Sequence, residues 1–185
     1  MGAKSEKSAE QDLTDHPMIK RINAVRLNAF SQKKRAKILV YAAAIESDLG
    51  ELFAKLFVGS GGIRGDRLLN SRKASSLDFS TQIELAYRLG LISHRLRCHL
   101  DMIRDFRNEC AHLEEDFDFA NLDHRSRING AYLELSDDTR KVFECAQDDY
   151  EAKFDTISTI CISQLQGCLE VTDKTKEATL EVCYR

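Results

Sequence analysis

The sequence predicts an all-α fold, a single-domain bundle of about five helices, and three observations support this. Proline occurs once among the 185 residues, at position 17. Apolar residues recur at spacings of three and four over long stretches, which is the period of one helix face. Glycines cluster between such stretches, where they end helices. Strands and hairpins usually carry more proline and glycine, so long helices are favoured.

The N-terminal part of the chain predicts a disordered arm followed by two helices. Residues 1–14 are small, charged and without periodicity, which is typical of disorder. Asp15 precedes Pro17, a pattern in which Asp caps a helix and Pro occupies its first turn; this helix should reach about Phe30. A second helix, from Ser31 or Gln32 to about residue 58, carries an apolar stripe at Ile38, Tyr41, Ile45, Leu49, Leu52 and Leu56.

The middle of the chain predicts a loop and two more helices. The loop, residues 63–77, is basic and rich in serine. Thr81 and Glu84 have the spacing of a capping box, so a third helix should begin there and stop at Gly90. Ser93 is a good N-cap for a fourth helix, from about residue 94 to 113, whose stripe is Leu96, Leu100, Ile103, Phe106, Cys110 and Leu113.

The C-terminal third predicts a connector, one last long helix and a tail. Residues 116–129 read as a connector with room for a short helix, and residues 132–135 as extended or irregular chain. Ser136 or Asp137 should cap a helix over residues 138–170. Residues 171–185 are polar and expected to fray, which leaves residues 15–170 as the domain. We expect the second and last helices to form an antiparallel spine.

Composition excludes several functional classes. The formal net charge is −3, so the whole surface is not an electrostatic match for nucleic acid. The six cysteines form no C-x-x-C pair and no zinc-finger spacing with histidine, which predicts reduced, buried thiols, no disulfide framework, no metal and no cofactor. No apolar run approaches the roughly 20 residues that span a bilayer, and the N-terminus lacks a signal-peptide core. We therefore expect a cytoplasmic protein without a membrane partner.

The segment from Arg104 to His112 is the most informative part of the sequence. On a wheel with Ile103 at zero, the apolar stripe spans about −80° to +60°, and Arg107 falls at about 40°, inside the stripe. An unpaired buried guanidinium is very costly, so Arg107 must snorkel or pair with an acid, for which Glu46 and Asp48 are available on the second helix. His112 falls at about 180°, on the opposite face. The side chains of Arg107 and His112 therefore converge only at a helix break or across two protomers.

Two family resemblances rest on this region. The run RNECAH resembles the Arg-polar-x-x-x-His motif of HEPN domains, helical bundles of which many are metal-independent ribonucleases that work as dimers. The stretches SSLDFSTQIELAYRLGLIS and MIRDFRNECAHLEEDFDF, between about residues 76 and 119, are similar to the mannitol-repressor family. That family implies an all-α transcriptional regulator without an evident helix-turn-helix, acting mainly through a protein partner or as a homodimer.

The resemblance to HEPN domains implies roles for these residues in an alternative function, endoribonuclease activity through attack by the 2′-hydroxyl. His112 would be the general acid or base. Arg107 would stabilise the phosphate charge, and Asn108 would orient the phosphate or the histidine. Glu46 or Asp48 would hold Arg107. The structural alternative is that Arg107 makes an ion pair that fixes helix packing, while Asn108 and His112 terminate the helix.

Other features leave weaker alternatives open. Lys33, Lys34, Arg35 and Lys37 form a basic cluster, which is either a nucleic-acid patch or a solvated face. His94 and Cys98, four residues apart, supply only two potential metal ligands. The helix after Gly90 mixes arginines with aspartates, so sequence-specific DNA binding is not favoured. The sequence therefore predicts a regulatory protein with a protein partner, with RNA cleavage as the alternative.

Overall fold

Seven α-helices make up the regular structure of the described part of the chain. A computed structural model describes residues 16–30, 33–57, 62–70, 76–112 and 117–173. The helices are α1 (Pro17–Phe30), α2 (Lys34–Leu56), α3 (Phe79–Arg88), α4 (His94–His112), α5 (Leu122–Leu133), α6 (Asp137–Val142) and α7 (Tyr150–Val171). The predicted all-α class is confirmed.

Helix α7 lies at the centre of the bundle and contacts α1, α2, α4 and α5. Its inner positions are fully buried and apolar, at Phe154, Ile157, Cys161, Ile162 and Leu165. An aromatic cluster joins α7 to α4, where the ring centroids of Phe106 and Phe154 lie 6.0 Å apart. Helix α3 packs on the outside, against α2 and α4. The apolar stripes read from the sequence thus converge on α7.

The two longest helices, α2 and α7, run parallel. Lys37, in the first turn of α2, pairs with Glu151 in the first turn of α7 at 2.6 Å. Near the other ends, Nζ of Lys55 donates to the carbonyl of Leu169 at 2.5 Å. The predicted antiparallel spine is therefore wrong. Helical periodicity fixes which residues face the core but not the direction of a helix, which here depends on how α3 to α6 return the chain to the end where α2 begins.

Caps explain where several helices begin and end. Pro17 is the first residue of α1, and the Ser93 hydroxyl accepts from the Leu96 amide at 3.2 Å, both as predicted. Gly90, with φ of 70°, ends α3 because a left-handed residue suits that position. The start of α3 differs, since Asp78 rather than Thr81 is the N-cap and accepts from the Thr81 amide at 2.7 Å.

The region beyond α4 is more helical than predicted and is divided differently. The expected connector and irregular segment contain α5, capped by Asn121. The expected long last helix is interrupted at residues 143–149. Ser136 caps α6 as predicted, but the Asp149 side chain accepts from the Ala152 amide and starts α7 separately. A second strong N-cap within an apolar pattern thus divides one predicted helix into two.

The predicted ends of the domain fall largely outside the described residues. The arm at residues 1–14 lies outside them, and so does most of the tail, since α7 ends at Val171 and the description at residue 173. Among the described residues, no helix combines the length and apolarity needed to cross a bilayer.

Candidate functional site

The C-terminal turns of α4 carry the side chains that the sequence singled out. Helix α4 continues without a break to His112. Ile103, Phe106 and Cys110 are fully buried on its inner face and fix its rotation. Asn108 and His112 are therefore exposed at the end of the helix, while Arg107 lies at the edge between core and solvent.

Arg107 snorkels rather than being buried. Its side chain keeps 42% of its surface exposed, and its Nη2 atom lies 3.9 Å from Oε2 of Glu46. Its Nη1 atom donates to Oδ1 of Asn108 at 3.1 Å. Of the two acids predicted to hold Arg107, Glu46 approaches it, at the outer limit of an ion pair. Such a half-exposed, long contact adds little to stability.

Asp48 holds a different arginine from the one expected. Its side chain is only 1% exposed, and its Oδ1 atom accepts from Nη2 of Arg21, on α1, at 2.9 Å. Burial raises the pKa of Asp48, and the Arg21 guanidinium opposes that shift. Asp48 therefore pairs with Arg21 and not, as the sequence suggested, with Arg107. Arg21 lies four residues before buried Val25, and that spacing could have indicated an inward-facing arginine.

Arg107 and His112 do not face one cleft within a single chain. At 100° per residue, a spacing of five on an unbroken helix separates them by about 140° around the axis. Asn108 and His112, four residues apart, do share a face. A spacing of five alone does not bring the Arg107 and His112 side chains together. His112 is the last residue of α4.

Glu109, within the motif, contacts the buried side chain of His124, a partner that sequence reasoning missed. Nε2 of His124 lies 3.0 Å from Oε2 of Glu109, and Nδ1 lies 2.7 Å from the Asp118 carbonyl. A carbonyl only accepts, so Nδ1 of His124 is the donor in the contact with Asp118. The imidazole stacks on Phe117 with centroids 4.3 Å apart. This arrangement anchors α5 against α4.

An ion pair and a histidine–carboxylate contact link α4 to α5 around a groove of about 400 Å³. Arg127 pairs with Asp105 at 2.8 Å, and His99 with Glu134 at 3.1 Å. Burial lowers the pKa of His99, although Glu134 opposes the shift. The charges in this groove are therefore largely matched within the chain. Ala131, a small and largely buried apolar residue, also lines the groove.

His94 and Cys98 on α4 come together without a third potential metal ligand among the described residues. Sγ of Cys98 lies 3.8 Å from Nδ1 of His94, while His99 is turned towards Glu134. Within the described ranges, no group of three or more His, Cys, Asp or Glu side chains could hold a metal ion.

The basic cluster at the start of α2 is divided between surface and interior. Lys33 and Lys34 are exposed, whereas Lys37 is only 3% exposed and pairs with Glu151 at 2.6 Å and Asp155 at 2.8 Å. Burial alone would lower the pKa of Lys37, but hydrogen bonds to the two carboxylates outweigh burial and raise it. Lys37 therefore belongs to the core. Its position four residues before buried Tyr41 was the sequence signal for this role.

Comparisons with known proteins support the fold and give no information about the site residues. No protein-family model matches the chain, and no curated protein is similar enough in sequence to count as a relative. A chain in the X-ray structure of the MtlR–HPr complex from Escherichia coli superposes with a TM-score of 0.55 and 12% identity. The match covers 82% of this chain and 99% of that one. The protein therefore shares the all-helical fold of an MtlR structure.

Proposed function

We propose that this protein is a regulatory protein of the mannitol-repressor type that acts through contact with a protein partner. The observation that carries the proposal is the fold likeness over nearly the whole length of a chain that was solved in an MtlR–HPr complex. Fold likeness alone does not fix function, so the site must also be compatible. The proposal includes control of transcription or metabolism as the outcome of that contact.

The ends of α4 and α5 are compatible with a surface that recognises a protein. Contacts such as that of Glu109 with buried His124 link the two helices, while Asn108 and His112 remain exposed for contact. Leu122, at the start of α5, is also exposed, at 69%. Polar groups on a rigid scaffold beside exposed apolar side chains are the usual anatomy of a transient interface.

Calorimetric titration with HPr tests the proposal. The full chain is titrated with HPr from Escherichia coli and with HPr from the organism that encodes this chain. We expect saturable binding with a dissociation constant in the micromolar range, about −8 kcal/mol, as for regulatory encounters. An unrelated protein of similar size and charge is the control. If neither HPr binds at concentrations of about 100 µM, the proposed partner is wrong.

Ribonuclease activity of the HEPN type is the second candidate. It is favoured by the exposure of Asn108 and His112, together with half-exposed Arg107, at one helix end. The test is cleavage of a labelled structured RNA in EDTA by wild type, His112→Ala and the matched control His94→Ala, an exposed histidine at the opposite end of α4. Cleavage lost only in His112→Ala would establish the nuclease; equal cleavage by all three would indicate a contaminant.

A further inference from the structure

A cavity of about 230 Å³ lies between α1, α2, α7 and the connector of residues 143–149, and its inner wall is polar. Tyr41, Thr156 and Thr159 line this wall and are 2%, 6% and 4% exposed. The hydroxyls of both threonines donate to backbone carbonyls one turn earlier in α7, at 2.9 and 2.7 Å. Because each hydrogen is used in this way, both hydroxyl oxygens can only accept a further hydrogen bond. The inner wall therefore favours a ligand group that donates hydrogen bonds.

The same wall carries an excess of negative charge. Asp155 lines the cavity, and it shares the Lys37 ammonium with Glu151, at distances of 2.8 and 2.6 Å. Two carboxylates and one ammonium leave a net negative charge in this cluster. Oδ1 of Asp155 has no hydrogen bond within the described residues, although the Tyr41 hydroxyl lies nearby. The Asp155 side chain is 18% exposed, and rotation about its soft last torsion can turn Oδ1 towards a donor in the cavity.

Arg26 provides a positive charge on another side of the cavity. Its guanidinium lies 5.8 Å from the centroid of the Phe143 ring, and it forms no ion pair within the described part of the chain. Burial raises the pKa of Tyr41, the Asp155 carboxylate raises it further, and Arg26 opposes the shift. Both charges therefore act on the same hydroxyl without pairing with each other. A molecule that carries one charge of each sign can satisfy both.

The remaining charges near the cavity are screened or paired. Glu144 lines the cavity but is exposed, so solvent and salt weaken its field. Arg140 and Lys141, in the last turn of α6, do not line the cavity, and they pair with Asp137 and Asp138. The charges that a bound molecule meets are therefore mainly those of Arg26 and the Asp155 cluster.

The outer part of the cavity is apolar. Phe30, Val142 and Phe143 line it, and the first two are 81% and 77% exposed. Covering such side chains with an apolar group is favourable, because it removes apolar surface from water. Sites for drug-sized ligands measure roughly 300–1,000 Å³, so this cavity suits a smaller molecule.

We propose that the cavity binds a small zwitterionic amino acid with an apolar side chain. The ammonium group donates to Asp155 and the threonine hydroxyls, and the carboxylate pairs with Arg26. The apolar side chain packs against the rings at the mouth. A simple anion is repelled by the Asp155 cluster, and a simple amine leaves Arg26 without a partner. This inference goes beyond the proposed function and does not depend on HPr.

Calorimetric titration of the full chain with L-leucine tests the site. We expect saturable binding with a dissociation constant below about 1 mM. Three analogues each lack one group: 3-methylbutylamine has no carboxylate, 4-methylpentanoate has no ammonium, and glycine has no apolar side chain. Each should bind at least about tenfold more weakly than L-leucine, because one of the contacts is lost.

Variants of the cavity locate the binding. Arg26→Gln should weaken L-leucine at least about tenfold and leave the weak binding of 3-methylbutylamine unchanged, because that amine has no carboxylate for Arg26. Thr156→Val should weaken both molecules. The matched control is Arg95→Gln, which changes an exposed arginine of α4 outside the cavity and should bind like wild type. Helical circular dichroism confirms that each variant folds.

Three results would overturn the proposal. The first is no binding of L-leucine by wild type up to about 10 mM. The second is equal binding of L-leucine by wild type, Arg26→Gln and Thr156→Val, which would place the binding elsewhere on the chain. The third is binding of 4-methylpentanoate as tight as that of L-leucine, because the cluster around Asp155 would then not recognise an ammonium group.

Discussion

Replacing Lys37 with methionine removes a buried ammonium and keeps most of the side-chain volume. The Lys37 side chain is 3% exposed, and its Nζ atom lies 2.6 Å from Glu151 and 2.8 Å from Asp155. The Asp155 side chain is 18% exposed, and its second oxygen, Oδ1, has no hydrogen-bond donor within the described residues. Without the ammonium, the Asp155 carboxylate loses its cationic partner and keeps only the neutral Tyr41 hydroxyl nearby, whereas Glu151, about one-third exposed, can turn to water.

The expected cost is that of breaking a buried ion pair by removing one partner, about 3–5 kcal/mol of unfolding free energy. For a chain of this size that corresponds to a fall in Tm of about 6–20 °C.

The destabilisation of Lys37→Met depends on pH. Burial raises the pKa of Asp155 in the native protein, and Lys37 opposes that shift. In the variant the native pKa rises further, so the folded state binds more protons than the unfolded state, and the deficit shrinks as pH falls.

Urea denaturation followed by circular dichroism at pH 7.5 and pH 5 measures both effects. The matched control is Lys34→Met, an exposed lysine in the same helical turn, which should change stability by no more than about 0.5 kcal/mol. The double variant Lys37→Met/Asp155→Asn should recover part of the loss, because no unpaired carboxylate remains. A loss below about 1 kcal/mol at pH 7.5 for Lys37→Met would refute the reasoning.

Three further predictions concern the core, a cap and a titrating histidine. Phe106→Ala should cost about 3–5 kcal/mol in urea denaturation, because the ring is fully buried beside α7; a cost under 1 kcal/mol would contradict this packing. Asp78→Ala should cost about 1 kcal/mol by the same method through loss of the cap on the Thr81 amide, and Asp78→Asn should retain most of it. The lowered pKa of His99, caused by burial and opposed by Glu134, means that the unfolded state binds more protons below the usual value near 6.5. Stability should therefore fall as pH drops below 6.5, and Tm measured at several pH values should show a weaker fall in His99→Gln.

Local signals in the sequence were sufficient for most of the helices because caps and periodicity act over a few residues. Pro17, Ser93 and Ser136 occupy the predicted positions at helix starts, and Gly90 ends α3. The division of the last helix depended on Asp149, whose side chain caps a new helix within a pattern that otherwise continues. Apolar spacing alone does not show whether a helix continues or is divided at Asp149, because an N-cap competes with continuation of the helix.

Contacts between distant segments were harder to predict. Asp48 was predicted to pair with Arg107 from the positions of the two residues on their helices, whereas it pairs with Arg21 of α1. The Glu109–His124 pair depends on α5, a helix that the sequence pattern left as a connector. The parallel course of α2 and α7 likewise follows from tertiary packing. Sequence periodicity identifies inward-facing residues, but the partners of buried charges depend on the three-dimensional arrangement of several elements.

Hydrogen exchange of the full chain, measured by mass spectrometry with and without HPr, most directly tests the claim that this protein works through protein contact. At saturating HPr we expect slower amide exchange confined to one contiguous surface region. The exchange of the central helix α7 should stay unchanged, because that helix is already buried. Unchanged exchange throughout the chain, with HPr in excess at about 100 µM, would contradict the account.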